Sequence, residues 1–529
     1  MKVLFLTRRY EMLRSFESTL RTLAERGHDV HLAFEQVKGE EEPPHDILGR
    51  LGEAAGFSWG HLPARRPDAW GVLADEARSV LNYLRYLEPQ FRDAEKLRER
   101  ARVRAPRLVR DLSEHTPVRN RALRRILALA LRARPADPQA AEYLDAHRPD
   151  LVVGSSLVRF RSAEPDYMAT ARTRGTPTAY CVHSWDNLTN KGVIHGAPDV
   201  VLVWNESQRR EAIELHDMAP DRVVATGAQS WDHWFAWRPS GTREEFCARV
   251  GLRPDRPFLL YLCSSRKIAR HEVEFVERWI GEVRSDPRMA DFGVVVRPHP
   301  YHAEQWRGHD LSDLGEATVW PRERIEPTDR ASASDFFDSI YHSAAVVGVN
   351  TSALIETAIV GRPVLSLLAP EFEQSQEGTL HFDHLRPENG GPLTIASDFA
   401  EHREQLAVAL DPAGGAAERL RSFVSSFVRP RGLDVAATPF VVDTLEEAAR
   451  APRPAVGPAP APLTLALTPL AVAVQRGRDR RRRTGRRGKG KGRRGKGPLA
   501  AITSAKGRRR AVRGARRRLG RVAESLGRG

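Results

Sequence analysis

Four short stretches hold side chains whose types and spacing suit anion chemistry. Asn350-Thr-Ser-Ala-Leu-Ile-Glu356 follows an apolar run that ends at Val349 and reads as the start of a helix. The free N–H groups and positive end of such a helix, at Asn350, Thr351 and Ser352, suit a phosphate or diphosphate. Glu356 lies one turn deeper and could accept two hydrogen bonds from ribose hydroxyls. Ordinary capping by Asn350 or Thr351, with Glu356 solvated, would use the same residues. Arg297-Pro-His-Pro300 is a second candidate. Its prolines stiffen an extended turn, Arg297 could pair with phosphate oxygens, and His299 could donate to phosphate or polarise a leaving group. The third, Cys263-Ser-Ser-Arg-Lys267, offers Ser264, Ser265, Arg266 and Lys267 in one loop. Two hydroxyls and two cations fit a diphosphate.

The fourth stretch, His183-Ser-Trp-Asp-Asn187, continues through Lys191 to Gly192. His183 with Asp186 could form an imidazole–carboxylate base, or Asp186 could act alone. Arg8 should enter the same crevice. A turn stabilised by Asp and Asn around a packed Trp185 is the plainer alternative. No serine nucleophile elbow, HExxH, Walker A loop or GxGxxG stands at a strand–helix junction, which disfavours dehydrogenase and P-loop readings. The chain has no Asp-x-Asp pair, so no metal is expected at the site, and no cofactor is expected.

All four stretches follow apolar runs, and those runs set their positions. Val3–Leu6, a helical pattern through Met12, Phe16, Leu20 and Leu23, and Val30–Phe34 form a βαβ unit. The rhythm resumes at 151–154, 178–182, 200–203 and 223–226, and again at 258–262, 294–296, 318–320, 346–349 and 364–367. This pattern predicts an α/β chain with two Rossmann-like domains facing a cleft. The first spans 1–235, with a helical, Arg/Ala/Leu-rich insertion at about 65–148. The second spans 236–450, including closing helices. Residues 451–475 read as a Pro/Ala-rich linker and 476–529 as a disordered basic tail. In parallel sheets ligands gather at the carboxyl ends of the strands, where the four stretches lie.

Charge separates body from tail. Residues 476–529 hold 23 Lys and Arg against Asp479 and Glu524. That is +21 against +15 for the whole 529-residue chain, which leaves residues 1–475 at −6. The body is therefore a poor nucleic-acid binder, and only the tail could hold an anionic membrane or nucleic acid. The tail has no aromatic residues on which bases could stack. Mean hydropathy is −0.46. No apolar run approaches the ~18 residues of a membrane span, and the amino terminus has no secretory pattern. Cys181, Cys247 and Cys263 show no paired spacing. A cytoplasmic protein is expected, with peripheral attachment at the inner face of the plasma membrane as a further expectation.

Val349 to Leu365, with its Gly361-Arg-Pro-Val-Leu365 close, resembles the donor-nucleotide helix of GT-B fold glycosyltransferases. Val224-Ala-Thr-Gly-Ala-Gln-Ser-Trp-Asp232 resembles the interdomain junction of UDP-N-acetylglucosamine 2-epimerases. Arg297-Pro-His-Pro300 resembles the loop of CDP-glycerol glycerophosphotransferases and capsule-type sugar transferases. The resemblance implies sugar transfer from a nucleotide-diphosphate donor to a surface-polysaccharide or lipid-linked acceptor. It places Glu356 on the donor ribose and Thr351 and Ser352 on its diphosphate, and the loop candidates Ser264, Ser265, Arg266, Lys267, Arg297, His299 and Asn350 complete the expected donor site. His183, Asp186 and Arg8, with His299, are then the catalytic candidates. The alternatives are a 2-epimerase or glycerophosphotransferase on the same fold, or a non-catalytic binder acting through the tail. The sequence departs from these families at His183-Ser-Trp-Asp-Asn187 and at Asn350-Thr-Ser352.

Overall fold

The computed structural model describes residues 1–36, 45–113, 115–327, 329–411, 416–451, 457 and 461–491. The described residues up to 467 form one compact unit, and those from 468 to 491 belong to another.

Two all-parallel sheets organise the first unit. One contains β1 (Lys2–Thr7), β2 (Asp29–Phe34), β3 (Phe57–His61), β4 (Leu151–Gly154), β5 (Thr178–Cys181), β6 (Val200–Val203) and β7 (Val223–Ala225), in the order β3-β2-β1-β4-β5-β6-β7. The other contains β8 (Phe258–Leu262), β9 (Gly293–Arg297), β10 (Ala317–Val319), β11 (Ala345–Gly348), β12 (Val364–Leu367) and β13 (Thr394–Ala396), in the order β10-β9-β8-β11-β12-β13. Both are doubly wound Rossmann-type sheets, and the order reverses between β1 and β4 and between β8 and β11. The chain is thus α/β with the two-domain GT-B architecture.

Each sheet is buried on both faces, so its strands are continuous apolar runs rather than alternating ones. Phe258, Leu260 and Leu262 face one core, while Leu259 and Tyr261 face the other. The edge strand β3, Phe-Ser-Trp-Gly-His, is mostly exposed and carries no such run, which is why the sequence did not announce it.

The lobes share a core. Trp185, Trp204 and Trp231, from segments following β5, β6 and β7, pack with Phe382, Leu385 and Phe427 of the second lobe. Trp204 and Trp231 meet edge-on at 4.8 Å. Burying such side chains contributes on the order of 2 kcal/mol each.

The closing helix Ala437–Arg450 corrects the expected boundary. Val441, Val442 and Leu445 belong to the first-lobe core with Val3, Phe5 and Leu20, not to the second domain. The chain therefore crosses between lobes twice. At the crossing, Asp232 accepts from Arg429 Nη2 (3.0 Å), the Ala437 N–H (3.0 Å), the Thr438 N–H (2.7 Å) and the Thr438 hydroxyl (2.7 Å). Gly227 permits the approach. Its φ is +97°, and a Cβ there would stand 2.7 Å from the Ala437 Cβ.

Between β3 and β4 lie the helices of the insertion, including Ala69–Arg85, Glu95–Arg104 and Pro117–Arg132. They hold their own core around Tyr83, Tyr86, Phe91 and Leu97. A helix, Ala461–Lys491, occupies what the sequence suggested was the end of a linker and the start of a disordered tail. Its Ala, Leu and Arg content favours helix despite Pro469. The expectation for 492–529 lies outside the described residues. No helix among the described residues is long and apolar enough to cross a membrane.

Candidate active site

The carboxyl ends of the two sheets present their loops from the two lobes. After β5, the loop 183–192 is shaped by the insertion. Arg85 is fully buried and donates to the carbonyls of Leu188 and Gly192. The Tyr86 hydroxyl donates to the Lys191 carbonyl at 2.6 Å, and Asn82 Oδ1 accepts from the Val193 N–H at 2.9 Å. Gly192 is needed there because a Cβ would meet Asn82 Oδ1 at 2.3 Å.

His183 and Asp186 do not pair. The His183 ring lies between the Asn187 side-chain amide at Nδ1 and Arg159 at Nε2, the latter at 3.2 Å. Burial, then Arg159, push its pKa well below the ordinary value, so the ring is neutral. Asp186 accepts from Ser184 Oγ (2.8 Å), Asn190 Nδ2 (3.0 Å) and Lys191 Nζ (2.7 Å). Burial opposes its charge, but Lys191 above all holds the carboxyl well below its usual range. A carboxylate that stable is a weak base, and it acts here as an anchor. Arg8 is likewise engaged: it donates to the Phe160 carbonyl and lies 3.7 Å from buried Glu35.

On the second lobe the expected donor residues divide. Arg297 is buried, donates to Asp335 Oδ2 at 2.9 Å and lies over the Phe336 ring, so it does not join the anion site. It is the last residue of β9 and its side chain stays within the lobe. Asn350 is buried, with its amide on the Ser375 carbonyl (2.6 Å) and on His381 (3.3 Å). Ser264 is buried as well; its N–H is taken by Glu272 and its hydroxyl accepts from the Asn350 N–H at 3.3 Å. These three build the loops and do not line the cleft. Ser265 and Thr351 are half-buried, and Arg266, Lys267 and Ser352 are exposed.

Glu356 and His299 lie within electrostatic reach of a residue the motifs did not select, Arg14. Burial raises the Glu356 pKa; Arg14 and a 3.2 Å hydrogen bond from Trp231 Nε1 counter part of that rise. Burial, then Arg14, lower His299 to about 4. His299 Nδ1 accepts from the Tyr301 N–H at 3.2 Å, so the proton of the neutral ring sits on Nε2 as a donor. Arg14 also acts on His183. It is exposed, and among the described residues it has no hydrogen-bond partner. Tyr301 reaches across to Glu11 at 3.3 Å. Arg159 was also missed, although it follows β4, the strand beside β1 where the order reverses. That switch point was the available signal.

A cavity of about 680 Å³ lies apart from these loops, at the crossing, lined by Phe235, Leu420, Val424, Arg429 and Leu433 among others. Among the described residues no group of three or more His, Cys, Asp or Glu is placed to hold a metal.

No protein-family model matches the chain, and no curated protein matches it. Solved structures do. UDP-GlcNAc 2-epimerase from Neisseria meningitidis, bound to UDP-GlcNAc, aligns at 11% identity over 84% of this chain and 100% of that one, with a TM-score of 0.48. A glycosyltransferase from Rickettsia africae aligns at 9% identity over 85% and 98%, also at 0.48. WaaG, a glycosyltransferase involved in lipopolysaccharide biosynthesis, aligns at 12% identity over 85% and 100%, at 0.43.

Proposed function

We propose that the cleft binds a nucleotide-diphosphate sugar and transfers the sugar to an acceptor held against the first lobe. The observation that supports this most is the 3.2 Å hydrogen bond by which Trp231, leaving the first lobe, sets Glu356 of the second at the cleft, with Arg14 in electrostatic reach of Glu356 and His299. Glu356 would take the ribose hydroxyls. Ser265, Thr351, Ser352 and the start of helix Ala353–Val360 would hold the diphosphate.

In transfer, the acceptor oxygen bonds to the sugar C1. The C1–O bond to phosphate breaks, and its electron pair passes to the departing nucleoside diphosphate. The hydroxyl proton leaves to solvent. Negative charge would then grow within electrostatic reach of Arg14 and the His299 Nε2–H, and both would stabilise it. His183, Asp186 and Arg8 position the acceptor side in this reading; none of them removes a proton.

Isothermal titration with UDP, GDP, CDP and dTDP tests the reading, together with product analysis from radiolabelled donors. Binding of a nucleoside diphosphate and acceptor-dependent label transfer are expected. Sugar isomerisation without acceptor would make the protein an epimerase. Release of a nucleoside monophosphate would make it a phosphotransferase. Absence of any nucleotide binding would overturn the proposal.

A further inference from the structure

Helix Glu95–Arg104 of the insertion has a consistent polarity. Leu97 and Ala101 are buried, four residues apart. Lys96, Arg100 and Arg104, spaced by four, form a neighbouring stripe. That stripe reaches both lobes. Lys96 Nζ donates to the Lys267 carbonyl and, at 2.7 Å, to Ser375 Oγ, both on the second lobe. Arg100 donates to the carbonyl and side chain of Asn190, the latter at 3.1 Å, on the first. Arg104 lies 4.1 Å over the Phe160 ring, next to Arg159 in the chain.

These cations gather without a matching set of carboxylates. Lys267 is disfavoured as a cation first by burial, then by Arg100, Arg159, Arg104 and Arg9. Lys191 is disfavoured by burial, supported by Asp186, and then opposed by Arg159 and Arg100. Asp186 faces the group but is already bonded to Lys191. Arg159 bonds only the neutral His183 ring, and neither Arg104 nor Lys267 has an ion-pair partner among the described residues. Like charges this close raise the free energy of the empty cleft, and a bound anion relieves it.

We propose that Arg100, Arg104, Arg159 and Lys267 form a second anion site, separate from the one at Glu356 and Arg14, for a phosphate group on the acceptor. The inference rests on the transfer reading and names its acceptor class: a phosphorylated molecule, either a soluble phosphomonoester or a lipid phosphate. The insertion is then the device that recognises the acceptor, closing over it from the first lobe.

The test is calorimetric, on the full chain. With the best-binding nucleoside diphosphate at saturation, inorganic pyrophosphate should still bind. Arg104→Glu, an exposed position at the helix end, should weaken that binding at least about tenfold and change nucleotide affinity less than about twofold. Arg100→Gln should act in the same direction, and Arg121→Glu, on another insertion helix, should not. If nucleotide displaces all the pyrophosphate, or if Arg104→Glu and Arg100→Gln both leave its binding unchanged, the second site is wrong. If no nucleoside diphosphate binds, the transfer reading fails by itself, while pyrophosphate titration of wild type against Arg104→Glu still decides the anion site. Glycerol 3-phosphate and phosphatidate-containing vesicles separate the carriers. Arg104-dependent binding of either supports the site and identifies the source; binding of neither overturns the acceptor assignment.

Discussion

Trp231, in the segment that leaves the first lobe, donates its indole N–H to Glu356 Oε1 of the second at 3.2 Å. The bond favours the charged carboxyl, whose pKa burial has raised. Trp231→Phe removes the donor and should raise that pKa further. Nucleotide affinity measured by calorimetry should then fall below that of wild type at low pH and recover as pH rises. Glu356→Ala should lose about tenfold or more at high pH, because a charged acceptor of ribose hydroxyls is gone, and less at low pH where the wild-type carboxyl is itself neutral. A pH-independent loss in Trp231→Phe would mean that the indole serves packing alone.

Arg14→Ala should weaken nucleoside diphosphate binding by about tenfold with little change in thermal stability, since the side chain is exposed and unpartnered. Unaltered affinity would remove Arg14 from the leaving-group pocket.

Asp186→Asn should act on stability first. It leaves Lys191 partly buried without its counter-charge, at a cost of roughly 3 kcal/mol. Urea unfolding should show the loss, and Lys191→Met in the same chain should restore part of it. A variant of full stability and no turnover would return Asp186 to the catalytic residues.

His384 of the second lobe lies 2.7 Å from Glu211 of the first. Burial opposes the imidazolium, but Glu211 outweighs it and the His384 pKa is raised. A raised pKa contributes stability that is fully present below the unfolded value of about 6.5 and fades as pH rises through the folded value. Urea unfolding of wild type and His384→Gln should therefore differ most near pH 6 and converge at high pH. A gap that widens with pH would reverse the assignment.

Asp232→Ala should free the closing helix. Four hydrogen bonds to Asp232 hold the crossing, so amide exchange in 437–450 should accelerate more than exchange in β1 or β8. Equal acceleration throughout would show that the crossing unfolds only with the whole unit.

The repeat of strand and helix was legible because buried parallel strands must be apolar throughout, as Leu151–Gly154 and Val364–Leu367 are. β3 escaped because an edge strand does not need that run. Glu356 and His299 were selected from their place after a strand. Arg297 satisfied the same rule and was misassigned: a sequence fixes where a strand ends, but not that Asp335 and Phe336 wait beside it. Arg14, Arg100 and Arg104 carry no motif. Arg14 sits in the short helix after β1, and the proposed role of Arg100 and Arg104 depends on how an insertion folds back over loops distant in the chain, a return that no local pattern encodes.

The helix Ala437–Arg450 completes a core that begins at Val3. During synthesis on the ribosome, the sheet containing β1, β4 and β5 must therefore wait, its apolar side uncovered, until the entire second lobe has emerged. The nascent protein depends on delayed sealing, and truncation shortly before residue 437 would release a sticky half-built lobe rather than a smaller working one.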